Sequence, residues 1–176
     1  RKEMTVKAGQ KCTAIRRIFV PANRMEEVWK DISKALSQTT IGNPRNEKVR
    51  MGSLAGLGQR EEVISQVNKL LASSRIIYGS LDKVDVIDAD AGQGAFMSPV
   101  LLVNDNPMSA SEAHEIEAFG PVSTVMPYRD IDEAIELSRK GKGSLCSSIV
   151  TADDRIAVDY VLGAATHHGR ILVLNS

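Results

Sequence analysis

The fold class this sequence predicts is α/β, with a largely parallel sheet flanked by helices, and three observations predict it. Short apolar runs of strand length alternate along the chain with segments whose apolar residues recur at helical spacing. That alternation is the pattern of strand–helix–strand units, which pack as parallel sheets covered by helices. In addition, Asn23 with Glu26 and Asp130 with Glu133 match the capping box that satisfies unpaired amides where helices start.

The first strand is expected over residues 15–20, directly after the polar turn Gly9-Gln10-Lys11-Cys12-Thr13. Pro21 and Asn23 end it, and Met25, Val28, Trp29, Ile32, Ala35 and Leu36 then form one helical stripe, with Trp29 as its core anchor. Residues 39–59 are broken by Gly42, Pro44, Asn46, Gly52, Gly56 and Gly58 and are expected as a long surface loop. Gly56-Leu57-Gly58 lacks the preceding strand and the third glycine of a dinucleotide fingerprint, so it is not read as a phosphate cradle. Val63, Ile64, Val67, Leu70 and Leu71 mark a second helix, followed by a short strand over Arg75–Tyr78.

Asp82, Asp85, Asp88 and Asp90 lack the ligand order and the closing glutamate of a calcium loop, so residues 81–94 read as a solvated loop. A strand over 96–103 ends at the turn Asp105-Asn106-Pro107, and another is expected over 123–126. The helix through Ile131, Ala134, Ile135 and Ser138 is stopped by Gly141 and Gly143. A strand over 147–150, a helix from 154 to 162 and a strand over 171–174 complete the chain.

A chain of 176 residues suits one domain, or one lobe of something larger, and can bury roughly 70% of its unfolded surface. Lysine plus arginine and aspartate plus glutamate balance at 22 each and are scattered, which excludes the basic footprint of a nucleic-acid or anionic-membrane binder. The apolar runs are far shorter than the roughly 18 residues of a membrane span. Cys12 and Cys146 form neither a disulfide framework nor a metal pair, so a reducing, cytoplasmic setting is expected. His167-His168 lack the acidic or cysteine partners of a ligand set, and no metal is expected. The missing initiator methionine and the strand-like ending point to a piece of a longer protein.

Cys12 is the candidate nucleophile, because a thiol on a turn at the lip of a strand is reachable and rigidly held. An ordinary thiol, with a pKa of about 8.5, is only about a few per cent ionised at neutral pH, so activation must come from its surroundings. Lys11, Arg16 and Arg17 can help electrostatically, but no adequate base is local to Cys12.

Two stretches in this order, Gly9-Gln10-Lys11-Cys12 and Glu115-Ile116-Glu117-Ala118-Phe119-Gly120-Pro121, resemble the two signatures of the aldehyde dehydrogenase superfamily. Thr40-Ile41-Gly42-Asn43-Pro44, Pro99-Val100-Leu101-Leu102 and Arg129-Asp130-Ile131-Asp132-Glu133-Ala134 support the resemblance, which covers essentially the whole chain. It implies the catalytic-domain fold of that family, with Cys12 as the thiol that forms a thiohemiacetal and then a thioester. It also implies Glu117 as the carboxylate that holds the nicotinamide ribose hydroxyls, and Phe119 as the aromatic beside the nicotinamide ring. The implied cofactor is NADP or NAD and the implied partner a small-molecule aldehyde, in a full-length protein that is a homo-oligomer.

On this resemblance, residues 1–176 are the thiol-bearing catalytic domain. The general base, the oxyanion asparagine, the dinucleotide-binding domain and a closing segment lie outside the chain, which by itself is expected to turn over poorly. The run Val122-Ser123-Thr124-Val125-Met126-Pro127-Tyr128 and the ending His168-Gly169-Arg170 are similar to the dehydrogenase half of bifunctional phenylacetate-degradation proteins. Those proteins carry a hydratase and oxidise a semialdehyde bearing a coenzyme A thioester, preferring NADP. Ser53 departs from the family's usual proline, and Cys146 is expected as a buried small hydrophobe. A cysteine hydrolase or acyltransferase, and a non-catalytic scaffold, stand as alternatives; neither gives Glu117 a role.

Overall fold

The computed structural model describes residues 1–175. Strands β1 (Arg17–Pro21), β4 (Val122–Tyr128), β3 (Val100–Val103) and β2 (Arg75–Tyr78) lie side by side in that order. The pairs β1–β4 and β4–β3 are parallel, while β2 closes the edge antiparallel to β3. A largely parallel sheet was the expectation. Strands β5 (Ser147–Val150) and β6 (Ile171–Leu174), however, do not extend it and form a separate parallel pair.

Successive strand residues point to opposite faces, so the sheet builds two cores. Leu101, Val103, Val125 and Val20 meet helix α2 (Met25–Ser37) through Leu36, Trp29, Val28 and Ile32. Val100, Leu102, Val122 and Met126 meet helix α3 (Leu57–Leu70) through Val63, Val67 and Leu70. Strand β3 is buried throughout, as a strand covered on both faces must be. Helices α5 (Ile131–Arg139) and α6 (Asp154–Ala164) pack together, and Ile135, Tyr160 and Ala164 join Ile149 and Ile171 in a third, smaller core over the β5–β6 pair.

Several local expectations change. The Asn23–Glu26 box does not form: a single 3-10 turn, Ala22–Arg24, leads into α2, and Glu26 pairs with Lys30 while Arg24 pairs with Glu27. At α5, Asp130 does accept from the Glu133 amide (2.9 Å), but the Glu133 carboxylate accepts from the Arg129 amide (2.6 Å) rather than closing the box on Asp130. Residues 39–56 are not a free surface loop, since Ile41, Met51 and Leu54 are buried in the α3-side core. Helix α3 also begins at Leu57, earlier than its apolar stripe indicates. Strand β3 starts only after Pro99, which has no amide to give a ladder.

Two devices fix the cysteine turn and the connection between β3 and β4. Gly9 ends a tight turn after α1 (Lys2–Thr5), in which Lys7, Ala8 and Gly9 have φ of 54°, 50° and 70°. A Cβ on Gly9 would overlap the carbonyl of Gly120, and one on Gly120 would crowd Val63 of α3. Backbone therefore meets backbone here, stacked on a helix.

The second device is Arg17, whose Nη1 donates to the Leu137 carbonyl (2.9 Å) and to His114 Nδ1 (3.1 Å), and whose Nη2 donates to the Ser138 carbonyl (3.1 Å). It satisfies the last-turn carbonyls of α5, where a cation is also favoured by the helix dipole. Because a guanidinium only donates, His114 Nδ1 accepts and Nε2–H donates to the Pro107 carbonyl (2.9 Å). His114, on helix α4 (Glu112–Glu115), thereby anchors the connection between β3 and β4.

Gly9→Ala combines a left-handed φ with a backbone overlap and is expected to destabilise the full-length protein by about 2–4 kcal/mol in denaturant unfolding; a change below about 0.5 kcal/mol would refute the packing account. Burial first, then the charges of Arg17 and Lys140, hold His114 below the usual imidazole range against the opposing pull of the Pro107 carbonyl and Glu115. The unfolded chain therefore takes up that proton more readily, and stability present above about pH 6.5 is lost as pH falls below it. His114→Gln should flatten that part of the melting-temperature profile; an unaltered acid slope would show that His114 does not contribute.

Candidate active site

Cys12 sits on the turn between Gly9 and β1, closed by the Ala14 amide donating to the Lys11 carbonyl (3.1 Å), and its side chain is exposed. The turn is held from three sides. Gln10 Oε1 accepts from the Ala55 amide (2.8 Å) and Gln10 Nε2 donates to Gln59 Oε1 (3.0 Å), which fixes it to the start of α3. The Lys11 ammonium pairs with Glu3 (2.5 Å). On the far side, the Ser123 hydroxyl donates to the Ile15 carbonyl (2.5 Å) and the Thr124 amide to the Arg16 carbonyl (2.8 Å), tying the approach to β1 onto β4.

Glu117 and Phe119 lie between α4 and β4 in a segment whose residues alternate in exposure and which turns tightly at Phe119, where the Gly120 amide donates to the Ala118 carbonyl (2.8 Å). Ala118 and Gly120 are buried and Ile116 is half-buried, while Glu117 and Phe119 face outward, with the Glu117 side chain 60% and Phe119 41% exposed. Both outward residues approach the same side chain, Arg16. An exposed aromatic beside an exposed carboxylate offers an apolar face and two acceptor oxygens together.

Arg16 joins the two stretches, a role that its sequence context alone did not suggest. Its Nη1 donates to the Gly120 carbonyl (2.6 Å) and its Nη2 to the Gly9 carbonyl (2.7 Å). Its Nε lies 3.6 Å from Glu117 Oε1, and its guanidinium carbon stands 5.2 Å from the centre of the Phe119 ring. The side chain is only 16% exposed; burial lowers its pKa and Glu117 works in the opposite direction.

Lys11, Arg16 and Arg17, expected as electrostatic help for the thiol, take three different sets of partners. Lys11 is paired with Glu3 and Arg17 is turned onto α5, which leaves Arg16 as the member of the three that links the two stretches. Cys146 is half-buried rather than buried, and its thiol donates to the Thr13 carbonyl (3.7 Å), next in the chain to Cys12.

Among the remaining candidates, His168 bridges the Ser138 (2.6 Å) and Ser144 (2.5 Å) hydroxyls, and His167 contacts the Thr166 hydroxyl (2.9 Å). Among the described residues there is no group of three or more His, Cys, Asp or Glu able to hold a metal ion, and no helix long and apolar enough to cross a membrane.

Comparison with known proteins agrees with this architecture. The 3,4-dehydroadipyl-CoA semialdehyde dehydrogenase of Aromatoleum evansii is 39% identical over 175 residues, which are 99% of this chain and 34% of that protein. Protein MaoC of Klebsiella aerogenes is 44% identical over 127 residues, 71% of this chain and 36% of its own length. The chain thus spans about a third of the length of these curated relatives. Lactaldehyde dehydrogenase of Escherichia coli superposes with a TM-score of 0.84 at 25% identity, over 98% of this chain and 34% of that one. Betaine aldehyde dehydrogenase of Staphylococcus aureus, solved in complex with NAD+, superposes with a TM-score of 0.86 at 23% identity, over 97% of this chain and 33% of that one, a likeness of fold. The model of the aldehyde dehydrogenase family matches residues 1–166, a span that contains both the Cys12 turn and the Glu117–Gly120 segment, and the chain belongs to that family.

Proposed function

We propose that residues 1–176 are the thiol-bearing catalytic part of an NADP- or NAD-dependent aldehyde dehydrogenase, acting on a coenzyme A-linked semialdehyde. The observation that carries this reading is the joining of an exposed cysteine turn to an exposed Glu117–Phe119 pair by Arg16 and by the Gly9–Gly120 contact. The substrate class rests on the 39% identical relative, which is named for such a semialdehyde.

Cys12, as thiolate, adds to the aldehyde carbon and forms a thiohemiacetal whose oxygen carries the charge. When bound, the nicotinamide cofactor supplies the two-electron acceptor that takes the former aldehyde hydrogen as hydride. The carbon is left as a thioester on Cys12, and water adds to it and releases the acid with the thiol restored. The Glu117 carboxylate suits a vicinal diol, since two oxygens can accept from two hydroxyls at once. The outward Phe119 ring suits the flat face of a nicotinamide. The rigid turn under Cys12 keeps its sulfur in one position, which matters because a misplacement of about 1 Å can cost about 100-fold in rate.

The base that activates thiol and water is proposed to lie outside these residues, since Glu3 is paired with Lys11 and Glu117 is assigned to the ribose hydroxyls of the cofactor. Residues 1–176 expressed alone should consequently oxidise aldehydes far more slowly than the full-length protein.

In the full-length protein, Cys12→Ser should lower kcat by about three orders of magnitude or more, and Glu117→Gln should raise the cofactor KM about tenfold with a smaller change in aldehyde KM. Iodoacetamide should label Cys12 ahead of the half-buried Cys146. Steady-state kinetics and peptide mapping test these points. Acylation of Cys12 by an ester with no aldehyde oxidation in the presence of NADP or NAD would instead assign a hydrolase.

A further inference from the structure

We infer that Arg16 is the positioning residue that sets the cofactor-facing pair Glu117 and Phe119 relative to the Cys12 turn, an inference that rests on the proposed dehydrogenase function. The side chain meets three structural demands at once. Its two terminal nitrogens donate to the Gly9 and Gly120 carbonyls, which belong to the two stretches and already touch. Carbonyl acceptors at these distances orient the planar guanidinium, and the same plane then sends Nε toward Glu117.

The 3.6 Å separation from Glu117 is an ion-pair distance rather than a hydrogen bond. The carboxylate is therefore held electrostatically while its oxygens stay free to accept from a ligand's hydroxyls. Beside it, the Phe119 ring stands within cation–π distance of the same guanidinium. One mostly buried cation thus stands against both an exposed carboxylate and a partly exposed aromatic ring. Two charge-assisted bonds hold the guanidinium by its terminal nitrogens, while its buried Nε has no hydrogen-bond partner and faces Glu117 at ion-pair distance.

A role limited to stabilising the fold would disturb both substrates alike. A positioning role for Glu117 and Phe119 disturbs the cofactor first, and Arg16→Lys separates the two because it keeps the cation while losing the fork and the plane. In the full-length protein, Arg16→Lys should raise the KM for NADP or NAD about tenfold, at least about threefold more than it raises the aldehyde KM. It should also reduce cofactor-independent acylation of Cys12 by p-nitrophenyl acetate less than it raises the cofactor KM.

Combining Arg16→Lys with Glu117→Gln should raise the cofactor KM by clearly less than the product of the two single effects, because each removes the same pairing. Multiplicative effects, an unchanged cofactor KM in Arg16→Lys, or equal losses in cofactor KM, aldehyde KM and acylation would each overturn the inference. If a variant is too unstable to assay, the comparison of Arg16→Lys with Arg16→Gln decides: rescue of folding and of cofactor KM together by lysine means that charge alone suffices, which also overturns it. A wild-type protein that oxidises no aldehyde with either cofactor would instead refute the functional reading on which the inference depends.

Discussion

The rest of the site depends on the close approach of two backbones, Gly9 and Gly120, with the Arg16 guanidinium clamped across them. The contact leaves no room for a Cβ on Gly9, which would overlap the Gly120 carbonyl, while a Cβ on Gly120 would crowd Val63. The parallel pairing of β1 with β4, with Arg17 opposite Thr124, brings the segments that enter these strands to the same end of the sheet. Helix α3 then presses Val63 onto Gly120 from behind. Sheet register, helix packing and turn conformation thus meet at one point.

The left-handed run at Lys7, Ala8 and Gly9 shows the strength of the surrounding structure. Two of the three carry side chains, and such residues hold a left-handed conformation only when their neighbours over-determine it, at about 1–3 kcal/mol each. Here the neighbours are identifiable: Ala8 is buried in the α3-side core, the Gly9 carbonyl is bound by Arg16, and Gln10 is bound to Ala55 and Gln59. The conformation places Cys12 outward on a short turn whose ends are both fixed.

Polar groups also join the smaller β5–β6 unit to helices α5 and α6. Ser144, His168, Ser138, Tyr160 and Ser147 form one chain of hydrogen bonds from the edge of that unit through α5 and α6. A neutral imidazole has one donor and one acceptor, so the two serines on His168 take complementary roles, and the network is satisfied without a net charge. Arg17 works beside it on the α5 carbonyls, and a Cβ on Gly141 would displace its guanidinium. The two adjacent arginines divide the labour, Arg17 anchoring helices and Arg16 bridging the cysteine turn to the Glu117 segment.

The sequence by itself determined the order of strands and helices, the largely parallel class and the two stretches that carry the family. Strand and helix periodicities are local properties of a covered sheet and a half-buried helix, so β2, β5 and β6 were legible at their observed bounds. Cys12 was singled out as a thiol on a turn before a strand, and Glu117 and Phe119 only through the resemblance of their stretch to a family signature. Only the tertiary structure decided that β5 and β6 form their own sheet and that residues 39–56 are pinned by Ile41, Met51 and Leu54. It also decided that Asn23 and Glu26 find other environments and that Arg16 links residues more than a hundred positions away. These outcomes turn on which surfaces meet across long separations in the chain, and an arginine beside another arginine gives no local sign of which one will find two carbonyls, a carboxylate and an aromatic ring around it.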